Sequence, residues 1–230
     1  MRLGTRKLLD RAFSGLGIFS VLLMAAALLV ILAPILARGA GAFVFKATVE
    51  HRRAILDLFG RGDRASVEAE TAEALAARQP LWDMLEAFRK EIAGRPFVER
   101  GKYDQPLREL EQNLRVLLGP PRGEPRPALF RQQYGQTRWD RAQEKLKDVL
   151  YKESYDYSDP ARMGRKVLTP REEDFRGTSL AGLFPFLREN IERLLRPRLT
   201  FYWQFLADGP KDAHFFGGIW PELLGTVYLA

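Results

Sequence analysis

Residues 12–37 read AFSGLGIFSVLLMAAALLVILAPILA, a run of 26 residues without a charged side chain between Arg11 and Arg38. Fourteen of them are Leu, Ile, Val or Phe, the side chains that favour transfer of a helix into lipid. A transmembrane helix needs about 20 apolar residues to cross a hydrocarbon core of about 30 Å, and this run is longer. The sequence therefore predicts a transmembrane helix over residues 12–37.

A cleaved signal peptide is the alternative interpretation of the same run, because both begin with basic residues and continue with an apolar stretch. The apolar part of a signal peptide is only about 7 to 15 residues long. The length of the run favours a retained anchor. The small residues that follow it, in the stretch RGAGA of residues 38–42, leave cleavage open.

The charges that flank the run do not by themselves orient it. Residues 1–11 contain four basic side chains, and four more follow the run, at Arg38, Lys46, Arg52 and Arg53. Long domains that follow a first span cross the membrane largely regardless of their charge. We therefore expect the basic tail of residues 1–11 in the cytoplasm and residues 38–210 on the opposite side.

Outside the apolar run the chain is polar and nearly balanced in charge. Of the net charge of +7, residues 1–11 carry +3 and residues 38–230 carry +4, as 32 basic against 28 acidic side chains. Nucleic-acid binding needs basic residues clustered on one face, so this distribution argues against it. The absence of cysteine excludes disulfides and thiolate metal sites, and the two histidines, His51 and His214, read as ordinary surface or helix residues.

Common catalytic and nucleotide-binding motifs are absent from the sequence. It contains no P-loop, no Gly-x-Ser-x-Gly elbow and no His-Glu-x-x-His pair. The acidic group at residues 172–174 lies between Arg171 and Arg176, a pattern more typical of a solvated helix start than of a metal site. We therefore predict no catalytic residue, no cofactor and no metal site, and a protein that is not an enzyme.

Two arginine-containing groups are open to a functional interpretation. Arg61-Gly62-Asp63 spells a cell-adhesion tripeptide, but it fits better as a turn in which Asp63 caps the following helix. The guanidinium groups of Arg52, Arg53, Arg61 and Arg64 could bind an anion such as phosphate, or could equally face lipid headgroups. We assign no site to them.

Apolar periodicity predicts a helical domain after the membrane run. Its first half is expected to contain a helix over residues 50–59 that ends at Gly60, and a helix capped by Asp63 or Ser66 that is interrupted at Pro80 and stops at Gly94. Asp104 is the expected cap of the next helix. The leucines of that helix recur at three- and four-residue intervals, the spacing of a buried stripe: Leu107, Leu110, Leu114 and Leu117.

The second half of this domain is expected to be less regular. Residues 119–127 hold four prolines and two glycines, which predicts a loop, and a further helix follows from Trp139 to near Tyr151. Residues 152–177 show no period and are expected to be the least structured part. A helix over residues 180–195, broken at Pro185, completes the domain.

Residues 215–230, FFGGIWPELLGTVYLA, begin like a membrane helix, with interfacial aromatic residues, a Gly-Gly turn and Pro221 near the helix start. The apolar part is about a dozen residues long, too short to span a bilayer. We expect the incomplete start of a second membrane helix over residues 211–230, or an end that packs on protein. The expected fold class is mainly α: one N-terminal transmembrane helix, a helical extramembrane domain and this second start.

The two ends of the chain resemble the permease subunits of phosphate ABC transporters. The phrase LTFYWQFL at residues 199–206, followed after a short loop by GGIWPELLGTVYL at residues 217–229, is similar to the segment that leads into the permease core of that family. The basic tail, the long apolar run and its Gly-Ala-rich exit are similar to the family's first span. The resemblance covers roughly 60 residues, and residues 43–198 would correspond to an extracytoplasmic insertion between the first two spans.

This resemblance implies a subunit of a bacterial inner-membrane phosphate importer, with its N-terminus cytoplasmic and most of the chain periplasmic. The implied partners are an ATPase subunit, a second permease subunit, a periplasmic phosphate-binding protein and the lipid bilayer. The remaining spans and the loop that docks onto the ATPase would lie beyond Ala230, so we expect the N-terminal part of a longer or truncated product. The alternatives are a permease for another solute and a single-pass anchored periplasmic interaction protein.

Overall fold

The computed structural model describes residues 3–124, 136–157, 163–211 and 216–229, with side chains from Phe13 onward except Ser14. The chain divides into two units, Met1–Val44 and Phe45–Ala230. The fold is mainly helical, as the sequence predicts.

The first unit is a single helix, α1 (Leu3–Phe43). It extends beyond the predicted residues 12–37 at both ends, because the flanking Arg, Lys, Leu and Ala are good helix formers and charge alone does not end a helix. Pro34 lies inside α1 without ending it. Among the described residues, Gly15–Phe43 is the one stretch of helix long and apolar enough to cross a membrane.

The second unit combines helices with short strands. In chain order they are β1 (Val44–Ala47), α2 (Val49–Phe59), α3 (Arg64–Ala93), α4 (Phe97–Leu118), α5 (Trp139–Leu150), β2 (Tyr151–Asp156), β3 (Arg165–Pro170), α6 (Leu183–Leu195), β4 (Arg198–Phe201), β5 (Pro210–Lys211), β6 (Phe216–Gly217) and α7 (Trp220–Leu229). Short 3-10 helices lie at Arg171–Phe175, Ser179–Gly182 and Trp203–Leu206. The strands form two-stranded sheets in the pairs β1 with β4, β2 with β3 and β5 with β6.

The hydrophobic core of this unit lies between α3, α4, α5 and α6. The predicted leucine stripe of α4 is confirmed, since Leu110, Leu114 and Leu117 are fully buried and Leu107 is nearly so. Burial of a leucine side chain contributes about 1.5 to 3 kcal/mol, so this stripe is a main source of stability. Its partners on the other helices are Leu81, Leu85, Phe88 and Ile92 of α3, Ala142 and Val149 of α5, and Phe184, Leu187, Ile191 and Leu194 of α6.

The turn between α2 and α3 follows the prediction. Gly60 ends α2 with φ of 65°, a left-handed conformation that glycine adopts without strain, and its N–H bonds the carbonyl of Leu56 at 2.9 Å. Asp63 caps α3 by accepting a hydrogen bond from the N–H of Ser66 at 3.2 Å. The adhesion tripeptide is thus a turn and a helix cap.

The predicted interruption at Pro80 is wrong, because α3 continues through it to Ala93. Proline removes one backbone hydrogen bond, but the helix on both sides is held by packing, with Arg78 and Leu81 fully buried. The predicted stop at Gly94 is confirmed.

The predicted cap at Asp104 is also wrong, since α4 begins seven residues earlier, at Phe97. Pro96 takes the cap position with an extended ψ of 149°, and Glu99 lies in the first turn, where a negative charge favours the helix N-terminus. Pro106 lies inside α4. The leucine pattern marked the buried part of this helix and missed its exposed first turns.

Residues 152–177, expected to be the least structured part, contain the antiparallel hairpin of β2 and β3. The prediction was wrong because both strands are largely exposed, so they lack the alternation of apolar and polar residues that marks a half-buried strand. Arg171 anchors the hairpin by donating from Nε to the carbonyls of Asp148 and Tyr151, at 3.0 and 3.2 Å. Gly119 to Glu124 form the described part of the predicted loop; residues 125–127 lie outside the described residues.

The predicted break at Pro185 does not occur. Pro185 lies in the first turn of α6, where its missing N–H has no intrahelical partner to lose. The helix ends at Leu195 and is capped by Arg196, a non-glycine residue with φ of 49°, immediately before Pro197.

Candidate functional site

An aromatic cluster centred on His51 brings together the chain that follows α1 and the chain that precedes α7. The imidazole of His51 lies with its ring centroid 5.1 Å from Phe45, 5.6 Å from Tyr202 and 5.3 Å from Phe216. Phe45 follows α1 by two residues, and Phe216 precedes α7 by four. We call the four residues Phe45, His51, Tyr202 and Phe216 the junction.

Local structure brings these rings together. Pairing of β1 with β4 places Phe45 beside the chain that leads to Tyr202. Thr48 ends β1 by bonding its N–H to the carbonyl of Thr137 at 3.1 Å, and α2 starts at the next residue and presents His51 in its first turn.

His51 is buried in the junction, with 4% of its surface exposed. Burial lowers the pKa of His51 from 6.5 to about 4, and the positive charges of Arg52 and Arg138 act in the same direction. At neutral pH the ring is therefore neutral. The prediction of an ordinary surface or helix residue holds for the helix, since His51 lies in the first turn of α2, although it is buried there. His214 lies outside the described residues.

Arg52 links β1, α3 and the end of α6 beside the junction. It donates from Nη1 to the carbonyl of Ala47 in β1 at 3.0 Å, and from Nη2 to the carbonyl of Arg196, at the end of α6, at 2.9 Å. Its Nε bonds Glu70 of α3 at 2.8 Å, and Glu70 also pairs with Arg198 at 2.5 Å. One guanidinium thus joins β1, α3 and the segment before β4.

A second group ties the turn after α2 to the segment before α7. The hydroxyl of Tyr202 donates to Asp208 at 2.5 Å, and Arg61 pairs with the same carboxylate oxygen at 2.5 Å. Burial raises the pKa of the Tyr202 hydroxyl well above its ordinary value, and the neighbouring Asp208 carboxylate raises it further. The hydroxyl therefore stays protonated and remains a donor.

A cleft of about 390 Å³ lies beside the junction, between α2, the start of α3 and β4. Its charged lining is Arg52, Arg61, Asp63, Glu70 and Arg198. Each of the three arginines forms an ion pair, with Glu70 or with Asp208, so the cleft does not present an uncompensated cluster of cations to a free anion.

The four arginines considered for anion binding therefore have protein partners. Arg52 and Arg61 pair as described above, while Arg53 and Arg64 form exposed pairs one helical turn along, with Asp57 at 3.6 Å and Glu68 at 3.4 Å. The structure places Arg52 and Arg61 along one cleft and does not bring all four into one site.

The acidic residues 172–174 lie in the 3-10 helix Arg171–Phe175. Glu172 pairs with Arg188 at 3.3 Å, and Asp174 pairs with Lys152. Among the described residues no group of three or more His, Asp or Glu side chains is arranged to hold a metal ion.

Sequence reasoning missed the contacts that build the junction. The bond from Arg52 to Arg196 joins residues 144 apart in the chain, and the ion pair of Arg61 with Asp208 joins residues 147 apart. The periodicity of apolar residues identifies only neighbours within one helix or strand, so it could not predict these two long-range contacts. The one available hint was the aromatic density of residues 201–205, which the sequence shows directly.

The junction carries no charge at neutral pH, and the charged groups beside it are paired with one another, Arg52 and Arg198 with Glu70 and Arg61 with Asp208. These contacts fix where distant segments of the chain meet. No family model, no curated protein and no solved structure matches this chain.

Proposed function

We propose that this chain is the N-terminal portion of a permease subunit of an ATP-driven phosphate importer. In this proposal α1 is the first membrane span, residues 43–198 are an insertion on the periplasmic side, and α7 opens the second span. The partners are the ATPase subunit, a second permease subunit and a periplasmic phosphate-binding protein.

The observation that carries the proposal is that the chain directly after α1 and the chain directly before α7 meet at the junction. A domain inserted between two consecutive spans must leave and re-enter the membrane close to one place, and inserted domains generally have neighbouring ends. Phe45 and Phe216 both contact His51, although 171 positions separate them along the chain.

The surface of α7 supports the same proposal. Its large apolar side chains are exposed, including Val227 at 75% and Leu229 at 88%. Water is an unfavourable environment for such a surface, and lipid a favourable one. Trp220 and Pro221 at its start are the residue types that favour a membrane interface and a helix N-terminus.

The Gly-Gly pair of the phrase that resembles phosphate permeases has a structural reason in this chain. Gly217 has φ of 98°, and a Cβ there would collide with the carbonyl of Gly209. A Cβ on Gly218 would collide with the carbonyls of Phe205 and Asp208. The pair lets the chain that leads into α7 pack directly on the segment after β4.

Phosphate uptake by the source organism tests the proposal. Disruption of the gene is expected to abolish high-affinity uptake of radiolabelled phosphate under phosphate limitation and to leave sulfate uptake unchanged. The intact gene is expected to restore uptake. Loss of uptake of another solute instead would identify a different permease, and no loss of any solute would favour an anchored interaction protein.

A matched pair of glycine variants sharpens this test. Gly218→Ala is expected to restore much less uptake than the wild type because its Cβ has no room. Gly225→Ala, whose Cβ meets nothing within 4 Å, is the control and is expected to restore uptake. Equal uptake by both variants at equal protein level would contradict the role of the Gly-Gly packing.

A further inference from the structure

Exposed apolar side chains lie next to the junction residue Tyr202, on β4 and on the 3-10 helix that follows it. They are large side chains that point away from the core: Leu199 at 74% exposed, Phe201 at 67%, Trp203 at 56% and Leu206 at 43%. Trp220, at the start of α7, is 47% exposed. We call these five residues the collar.

The collar is hydrogen-bonded both to the strand that follows α1 and to the residues at the start of α7. β4, which carries Leu199 and Phe201, pairs with β1, the strand that directly follows α1. The 3-10 helix that carries Trp203 and Leu206 is bonded to the start of α7, because the N–H of Ile219 donates to the carbonyl of Phe205 at 2.9 Å. Trp220 adds a bond from its N–H to the carbonyl of Asp208 at 3.1 Å.

This attachment limits how far the collar can lie from a bilayer. If α1 spans the membrane and α7 re-enters it, the strand after α1 and the residue that begins α7 lie at the membrane surface. A segment hydrogen-bonded to both lies there as well. The inference therefore rests on the membrane topology of the proposed function.

The composition of the collar fits the same location. Tryptophan and other aromatic side chains are enriched where a bilayer meets water, because their rings are apolar and carry a polar edge. Exposed basic side chains lie on strands close in sequence to the apolar helices, at Lys46 in β1 and Lys211 in β5. Positive charge of this kind is attracted to anionic headgroups.

We propose that the collar inserts at the boundary between the headgroups and the acyl chains of the outer leaflet and seats the part of the chain between α1 and α7 on the membrane. The occupant of this surface is the lipid interface itself, with phospholipid acyl chains against Leu199, Phe201 and Trp203. The collar thereby fixes the height and tilt of the extramembrane unit above the bilayer.

Spin labels in the cysteine-free chain test this directly. Single-cysteine variants Leu199→Cys and Trp203→Cys carry a nitroxide, with the full chain in nanodiscs of phosphatidylethanolamine and phosphatidylglycerol. Power-saturation spectroscopy then compares collisions with oxygen, which concentrates in lipid, and with a water-soluble nickel chelate. Val98→Cys, on the exposed start of α4 and 77% exposed, is the matched control for Leu199.

The expected result is an oxygen-to-nickel accessibility ratio severalfold higher at Leu199 and Trp203 than at Val98. Ratios as low as that of Val98 would overturn the proposal and place the collar in water. Protection from both reagents would also overturn it, in favour of a protein partner or a second copy of the chain.

A label at Leu28→Cys, in the middle of α1, separates this inference from the proposed function. A lipid-like ratio at Leu28 with a water-like ratio at Leu199 would defeat the collar alone. A water-like ratio at Leu28 would defeat the membrane topology on which both proposals rest.

Discussion

The leucines of α1 and of α4 have opposite surroundings. In α4, Leu110, Leu114 and Leu117 are fully buried among neighbouring helices, whereas in α1 Leu22 is 62% exposed and Leu29 is 64% exposed. A leucine side chain stabilises the second unit because it is buried there, whereas no other part of the protein that the structure describes covers these leucines of the first unit. α4 is therefore a core helix, whereas α1 carries the stretch Gly15–Phe43, which is long and apolar enough to cross a membrane.

The largest expected loss of unfolding free energy comes from Arg78, a charged residue buried in the second unit. Arg78 is 1% exposed, pairs with Glu50 at 2.8 Å and donates to the carbonyls of Leu194 and Leu118. Arg78→Met leaves the Glu50 carboxylate without this partner in the interior and is expected to cost about 3 to 5 kcal/mol of unfolding free energy. Urea unfolding of the full chain in mild detergent, followed by tryptophan fluorescence, measures it.

The control for Arg78 is Arg89→Met. Arg89 pairs with Glu111 at 2.6 Å, but its side chain is 56% exposed, so its loss is expected to cost less than about 1 kcal/mol. Adding Glu50→Leu to Arg78→Met is expected to recover part of the loss. An unfolding free energy for Arg78→Met within error of the wild type would contradict the interior role of the pair.

The next effect tests the contrast between the leucines themselves. Leu110→Ala removes packing from a filled core and is expected to cost about 2 to 5 kcal/mol. Leu29→Ala changes an exposed side chain of the first unit and is expected to change the unfolding free energy of the second unit by less than about 0.5 kcal/mol. Equal losses for the two variants, measured by the same urea titration, would remove the distinction between the helices.

Of the fold, the sequence was enough to predict what depends on local pattern. The structure confirms that the apolar run is helical, that the leucine stripe forms the buried face of α4 and that Asp63 caps α3. What it missed has two physical causes. Helix breaks were predicted at Pro80 and Pro185 and do not occur, because packing around a proline and its position in the helix decide what the proline costs. The β2–β3 hairpin was missed because its exposed strands show no alternation of buried and exposed residues.

Of the candidate site, almost nothing could be predicted. His51 has no special sequence context, and its burial arises from Phe45, Tyr202 and Phe216, which lie up to 165 positions away. The sequence indicated Arg52 only as one of four basic residues that could bind an anion. Its role in linking elements could not be predicted, because Glu70 and the carbonyl of Arg196 lie on distant elements. Long-range pairing of this kind becomes visible only in the folded chain.

Acid pH tests the junction. The pKa of His51 in the folded chain is about 4, below its ordinary 6.5, so the folded state resists protonation. The stability that depends on neutral His51 is fully present above pH 6.5 and is lost as the pH falls through about 4. The loss is at most about 3 kcal/mol, since each pKa unit corresponds to about 1.4 kcal/mol.

The comparison that isolates this effect is between the wild type and His51→Phe. The variant is expected to lose less stability between pH 6.5 and 4, because its ring cannot take up a proton. Parallel pH profiles of unfolding free energy for the two proteins would show that His51 does not titrate in the junction.

The smallest effect concerns the turn between α2 and α3. Asp63→Ala removes the side-chain acceptor for the N–H of Ser66 and is expected to cost about 1 kcal/mol. Glu68→Ala, which removes an exposed pair with Arg64, is the control and is expected to cost about 0.3 to 0.5 kcal/mol. A cost for Asp63→Ala no greater than that of the control would mean that the cap adds nothing to α3.

The most direct test of the central claim is the sidedness of the two units. The chain has no cysteine, so single cysteines can be placed in the basic tail by Thr5→Cys and on the second unit by Val98→Cys. A membrane-impermeant maleimide added to spheroplasts is expected to label the cysteine at position 98 at once and the cysteine at position 5 only after lysis. Labelling of position 98 only after lysis would place the second unit in the cytoplasm and contradict the account.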